Sequence, residues 1–264
     1  MRMAVYAAQV DRMDQGIGRI LETLRTHDIE DNTLILFLSD NGGCAELLEE
    51  DGWAKFYPTT TLDGKRVQLG NRPDLMPGSA ETFMSYDLPW ANGSNAPFRQ
   101  YKRWTHEGGI STPLVVQWPK QIAAGRIDHS VCHVIDLLPT CLEAAGVRYP
   151  SVHNGHEIQP VEGESLIAAF QADGWQRDKP LYFEHQGSCA LRAGDWKLVK
   201  GFGGDWELYN MIADRTELDD LREKNRPKLT QLIREFDGWA AMVGVESWEM
   251  LNPRFQALYG GGLK

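Results

Sequence analysis

The 264-residue sequence predicts an α/β fold followed by a small antiparallel sheet packed by a helix, and three observations carry that expectation. An amphipathic helical stretch runs straight into the apolar segment LILFL, which ends in Ser39-Asp40-Asn41-Gly42-Gly43. A second apolar run, Pro113 to Trp118, follows another glycine pair, Gly108-Gly109. Beyond residue 165, four short aromatic and aliphatic runs alternate with turn clusters.

Each element follows from its pattern. From Val10, the apolar residues Met13, Ile17, Ile20, Leu21 and Leu24 recur at helical spacing, with Asp11, Arg12, Asp14, Arg19, Glu22 and Arg25 on the other face. The connection HDIEDN leads to Leu34–Leu38, which has no polar face and reads as a strand buried on both sides of a parallel sheet. Thr33 and Ile35, both β-branched, favour strand over a short buried helix. In open α/β sheets ligands bind beyond the carboxyl ends of the strands, which is where Asp40 and Asn41 fall. Gly42 and Gly43 permit a tight turn there. A carboxylate beside an amide oxygen suits a hard cation such as calcium or magnesium; the alternative is a plain polar turn.

Residues 44–101 lack sustained periodicity and hold many glycines and prolines. A connection of that length is either a lid or pocket wall, packed through Trp53, Phe56, Tyr57, Phe83, Tyr86 and Trp90, or a loose surface excursion. The charged surface Glu49-Glu50-Asp51 lies within it. Then Arg99, Lys102, Arg103 and His106 form the densest basic cluster, which is either a solvated loop or a positive patch for an anion. Pro113–Trp118 is a second strand, closed by Pro119. Asp136 precedes a short scaffold helix, LLPTCLEAAG, and 147–165 is a polar linker whose His153 and His156 are expected to be solvated.

LYFEH (181–185), CALRA (189–193), WKLVK (196–200) and WELYN (206–210) predict the antiparallel sheet. A last helix from Asn225 and Pro227 sets Leu229, Leu232, Ile233, Phe236, Trp239 and Val243 against one face of it, with Trp196, Trp206 and Trp239 at the interface. The domain division expected is 1–165 and 166–264, with the GGGLK tail frayed. His185, in EHQGS, either faces a substrate or is a hydrogen-bonded strand-end histidine.

Composition narrows the partners. With 27 basic and 37 acidic residues, the formal charge of -10 argues against nucleic acid or anionic membrane. The opening MRMAVYAAQVDR is broken by Gln9 and Asp11 too early for a signal-peptide core, and no later stretch has the length of a membrane span. Cys44, Cys132, Cys141 and Cys189 form no paired motif, so neither zinc nor a disulfide framework is indicated, and Cys132 and Cys141 read as small core residues.

Taken together, SDNGG at 39–43, KRWTHEGGISTP at 102–113, DLLPT at 136–140 and ELYNMIADRTELDDL at 207–221 resemble the carboxyl-terminal half of a type I sulfatase, of the arylsulfatase group in the alkaline phosphatase superfamily. The resemblance implies an alkaline-phosphatase-like mixed sheet with flanking helices over 1–165 and a small α+β subdomain over 166–264. It makes Asp40 and Asn41 two ligands of one calcium ion and Lys102 the residue that contacts the sulfate. The reaction it implies is cleavage of a sulfate ester, on a small molecule or a sulfated glycan, by a hydrated formylglycine that attacks sulfur. Chemically these roles agree: a divalent cation and a lysine aimed at the non-bridging oxygens stabilise a transferring anion by charge. Related phosphoesterases and phosphonate hydrolases of the superfamily place His where Asn41 stands, to hold zinc or manganese.

The sequence departs from the family in one respect. No Cys/Ser-x-Pro-x-Arg formylglycine motif is present; Ser111-Thr112-Pro113 continues to Leu114-Val115 without an arginine. Asp40 and Asn41 supply a minority of the six to eight or so oxygens calcium takes. The expectation is therefore an incomplete calcium site, a missing amino-terminal half that would carry the formylglycine, and a fragment inactive alone, with a role as a noncatalytic binding or assembly module as the competing function. For the family, a periplasmic or secreted location is implied.

Overall fold

In the computed structural model the run after the first helix forms β1 (Ile35–Leu38), and its partner is the second predicted strand, β2 (Leu114–Gln117). The pairing is antiparallel, Ile35 opposite Gln117 through Leu38 opposite Leu114, so the expected parallel arrangement is corrected. The burial on both faces is corrected too. Phe37 and Val115 face each other across the ladder and are exposed. An apolar run shows that a strand can be buried on both sides, but it does not choose the neighbour or the orientation. The structure describes residues 1–48, 57, 59–172 and 174–259. Glu49, Glu50, Asp51, Trp53 and Phe56 of the 44–101 excursion, and the GGGLK tail, lie outside the described residues.

Contacts divide the chain into two compact units, one of Met1–Gly16, Asn41–Ser111 and Tyr182–Lys264, the other of Ile17–Asp40 and Thr112–Leu181. In the second unit the β1–β2 ladder is extended by loop bonds, Thr112 Oγ1 donating to the Ser39 carbonyl and Gln117 Nε2 to Glu30. Asp136, fully buried, is the hub of the rest of this unit. Its carboxylate accepts the N–H groups of His133 and Glu164 and pairs with Arg177, just before the scaffold helix over Leu137–Ala144. Cys132 and Cys141 are exposed rather than core residues. The linker histidines His153 and His156 pair across a two-residue hairpin and are exposed, as expected.

In the first unit, four strands form one sheet: β3 (Leu181–His185), β4 (Ser188–Ala193), β5 (Trp196–Lys200) and β6 (Glu207–Asn210), in the order β6-β5-β4-β3. β4 and β5 pair antiparallel, as do β5 and β6, so the predicted antiparallel sheet is observed. Both faces are covered. Leu191, Leu198 and Leu208 pack beneath the helix Arg226–Val243 through Leu232 and Phe236, with Trp196, Trp206 and Trp239 at the margin as expected. Ala190, Val199, Tyr209 and Met211 form a second cluster. That helix is capped by Asn225, whose side chain accepts from Lys228 N, and ends at Gly244 in the left-handed conformation. Val243, at its last turn, is exposed and lies outside the packed face.

The first helix spans Arg2–Thr26, eight residues longer at its start than the periodicity indicated, and buries no residue. Part of the 44–101 excursion is ordered: Gln68–Leu69 pairs parallel with Thr82–Phe83, and a helix covers Asp87–Asn95 in spite of Pro89 and Gly93. Tyr86 stacks on Tyr6 and Tyr57 lies against Phe83, whereas Trp90 is exposed. Among the described residues no helix is long and apolar enough to cross a membrane.

Candidate active-site loops

Two loops of the first unit interlock through their backbones. The N–H of Gly42 donates to the carbonyl of Gly109 (3.0 Å), and the N–H of Lys102 donates to the carbonyl of Gly43 (3.0 Å). Approach this close requires glycine: a Cβ on Gly42 would stand 1.7 Å from the Gly108 carbonyl oxygen, and one on Gly108 would stand 2.2 Å from the carbonyl oxygens of Arg99 and Gln100. The segment carrying Lys102 therefore lies directly on the loop that begins at Asn41. The side chain of Lys102 is exposed, and its charge acts on the Cys44 thiol against the burial that raises that group.

Asn41 is half-buried, and its Nδ2 donates to the Gly42 carbonyl (2.9 Å), so the atom it can turn to a hard cation is its oxygen. Asp40 is exposed at the end of β1. These donors are of the right kind for calcium, but among the described residues no group of three or more His, Cys, Asp or Glu could hold a metal.

Asn95 is the residue that sequence reasoning missed here. Nearly buried at the end of the Asp87–Asn95 helix, it accepts from Gly43 N (2.8 Å) and donates to the Gln100 carbonyl (3.0 Å), joining the two loops through one amide. Nothing in NGSNAPF distinguishes it from its polar neighbours. Asn95→Ala would leave a backbone donor and acceptor without partners, and the expected cost is about 1–3 kcal/mol. Amide hydrogen exchange should show Gly43 N–H deprotected in that variant well beyond the global loss.

The predicted basic cluster is dispersed. Arg99 is consumed by the sheet, its Nη1 bonding to Glu207 (3.1 Å), Tyr209 Oη (2.9 Å) and the Glu217 carbonyl (2.8 Å). His106 is buried, 3.5 Å from Glu207 and edge-on to Trp104. Only Lys102 keeps an exposed side chain, since Arg103 is half-buried in a left-handed turn at φ 88°. His185 ends β3 with an exposed side chain.

Around Glu207 the electrostatics are strong. Burial would raise its carboxyl, but the contacts from His106 and Tyr209, with the charge of Arg99, hold it down at about 2. Burial first, and the Glu207 carboxylate next, push the Tyr209 phenol upward against the charge of Arg99. Because the folded value lies below the unfolded one, Glu207 stabilises the protein fully above about pH 5, and that contribution disappears as pH falls toward 2. Glu207→Gln should therefore flatten the acid limb of a stability-against-pH curve, by on the order of 2 kcal/mol between these limits in urea titrations.

The sulfatase family profile matches residues 2–147, and that of the N-sulphoglucosamine sulphohydrolase C-terminal region matches residues 98–238. An uncharacterized sulfatase of Schizosaccharomyces pombe is 31% identical over 256 residues, covering 92% of this chain and 44% of its own length. The arylsulfatase of Klebsiella aerogenes is 36% identical over 167 residues, 63% of this chain and 34% of that protein. Ps i-CgsB, solved in complex with k-i-k-neocarrahexaose, superposes with a TM-score of 0.61 at 27% identity, covering 89% of this chain and 42% of the other. The chain thus spans less than half the length of these relatives. Matched by the family profile over more than half of its residues, it belongs to the sulfatases, the type I enzymes of the alkaline phosphatase superfamily.

Proposed function

We propose that the protein is a sulfuric ester hydrolase in which Asp40 and Asn41 are calcium ligands, Lys102 binds the sulfate group and His185 approaches the rest of the substrate. The substrate class is a sulfated sugar. Residues 1–165 are the portion of the catalytic domain that carries the metal and sulfate contacts, and 166–264 the smaller subdomain that carries His185. The observation that carries this reading is the bond from Lys102 N–H to the Gly43 carbonyl, which ties the lysine's segment to the loop of Asn41. The oligosaccharide in the Ps i-CgsB complex and the sulphoglucosamine family profile support the sugar.

The chemistry follows from charge. Calcium, where bound, withdraws electron density from the sulfuryl oxygens. The Lys102 ammonium, on an exposed side chain, is a compact point charge for a non-bridging oxygen. Asn41 contributes an oxygen without a further negative charge, which keeps the loop attractive to an anion.

Calorimetric titration tests the assignment. Calcium is expected to bind the unsubstituted protein weakly, as an incomplete site allows, and to bind Asn41→Ala at least tenfold more weakly still. A 6-O-sulfated N-acetylhexosamine, added to the calcium-loaded protein, is expected to lose at least tenfold in affinity in Lys102→Ala. Binding of calcium or sugar sulfate indifferent to these residues would overturn the reading.

A further inference from the structure

The Lys102 segment is held by buried ions that the proposed chemistry does not use. Lys197, in the middle of β5, is fully buried, with its ammonium 2.7 Å from Glu107 Oε1 and 2.8 Å from Glu217 Oε1. Glu217 is buried as well, and its Oε2 accepts the N–H of Glu107 (2.9 Å). Arg215, 3.7 Å from Glu107, balances the charge. Burial would raise the Glu107 carboxyl, but Lys197, together with the charges of Arg215 and Arg192, outweighs it and the group sits below the usual range. Taking three ions out of water is costly, and well-packed apolar side chains can fill the same volume without that cost. Stability alone does not account for the arrangement.

What the ions hold is the stretch from Arg99 to Gly109. Arg99 anchors its start on β6, and Glu107 anchors its end on β5. Between them the Trp104 ring lies over Gly201, where a Cβ would stand 2.5 Å from Cζ3. Within this span Gln100 and Arg103 adopt φ of 65° and 88°, left-handed backbone on either side of Lys102. For residues with a Cβ such backbone costs of order 1 kcal/mol or more and persists only where the surroundings impose it. The anchors impose it.

We propose that Lys197 is a positioning residue: through Glu107 and Glu217 it fixes the strained 99–109 segment on the C-terminal sheet and so holds the Lys102 ammonium where a sulfate group binds. This rests on the reading of Lys102 given above. The C-terminal sheet then belongs to the anion site as its foundation.

Competitive acetylation of lysines by acetic anhydride, read by peptide mass spectrometry, tests it with inorganic sulfate as the probe and exposed Lys120 as internal reference. In the unsubstituted protein, sulfate should slow acetylation of Lys102 relative to Lys120. In Lys197→Met the sulfate concentration for half-protection should rise at least tenfold, and in Glu107→Gln, which keeps the side-chain volume, about threefold. Near-UV circular dichroism and Lys120 labelling should stay unchanged in the variants, which a general loss of structure would not allow. If Lys197→Met does not fold, Glu107→Gln decides. Protection of Lys102 that is equal in the unsubstituted protein and the folded variants overturns the positioning role alone. Absence of protection in the unsubstituted protein overturns the reading of Lys102, and the positioning role with it.

Discussion

Replacing Arg177 with methionine is expected to lower the stability of the unit containing it by about 3–5 kcal/mol, the range for breaking a buried ion pair from one side. Asp136 is completely buried, and Arg177 is 6% exposed in its side chain. Methionine keeps much of the arginine's apolar stem but leaves the carboxylate with two backbone N–H donors, from His133 and Glu164, and without the guanidinium charge. Those donors lessen the penalty without cancelling it, because two neutral hydrogen bonds do not offset a full buried charge. The same substitution in an Asp136→Asn background should cost much less, since no net charge is then stranded. Urea unfolding followed by tryptophan fluorescence gives the four values of the cycle, and Trp175, whose ring lies 6.0 Å from the Arg177 guanidinium, reports locally. A loss below about 1 kcal/mol for Arg177→Met would mean that water reaches the carboxylate and that the pair contributes little.

Asp136 also shows where sequence reasoning stops. Its position before LLPT marked a helix start, and a helix is there, but its side chain binds groups 28 and 41 residues away that no local pattern connects to it. The same holds for Lys197. In WKLVK it reads as the polar alternate of a half-exposed strand, yet both faces of β5 are covered, Leu198 in one cluster and Val199 in the other, so the lysine is buried with them. What period and turn chemistry encode was legible: the strand that ends just before Ser39, the C-terminal antiparallel sheet, the helix that covers it through Leu232 and Phe236. Antiparallel pairing of β1 with β2 was not, because register between strands about 75 residues apart is set by the chain that joins them and not by either strand's own sequence. Of the candidate site, the glycine pairs could be read as close approaches. Which backbone each approaches could not.

That approach sets the second large effect. Gly42→Ala would place a methyl carbon 1.7 Å from the Gly108 carbonyl oxygen and 3.2 Å from Asn95 Nδ2, and no side-chain rotation relieves a clash between a Cβ and a backbone atom. One of the two loops must move by more than 1 Å. Gly108 has little room to yield, since its own N–H donates to the Arg99 carbonyl and the 99–109 segment is anchored at both ends on the sheet. The Asn41 loop is therefore expected to give way, losing the bond from Gly42 N to the Gly109 carbonyl and the bond from Lys102 N to the Gly43 carbonyl. The cost in stability should be about 1–3 kcal/mol, as for other overpacked sites. The cost at the site should be larger, because a displacement of about 1 Å between groups that act on one substrate commonly reduces rate about 100-fold. On the proposed function, Gly42→Ala should thus weaken binding of a sugar sulfate to the calcium-loaded protein far more than its thermal stability falls, and hydrogen exchange at Gly42 and Lys102 should accelerate together. Loss of stability without loss of binding would mean that the interlocked loops serve the fold alone.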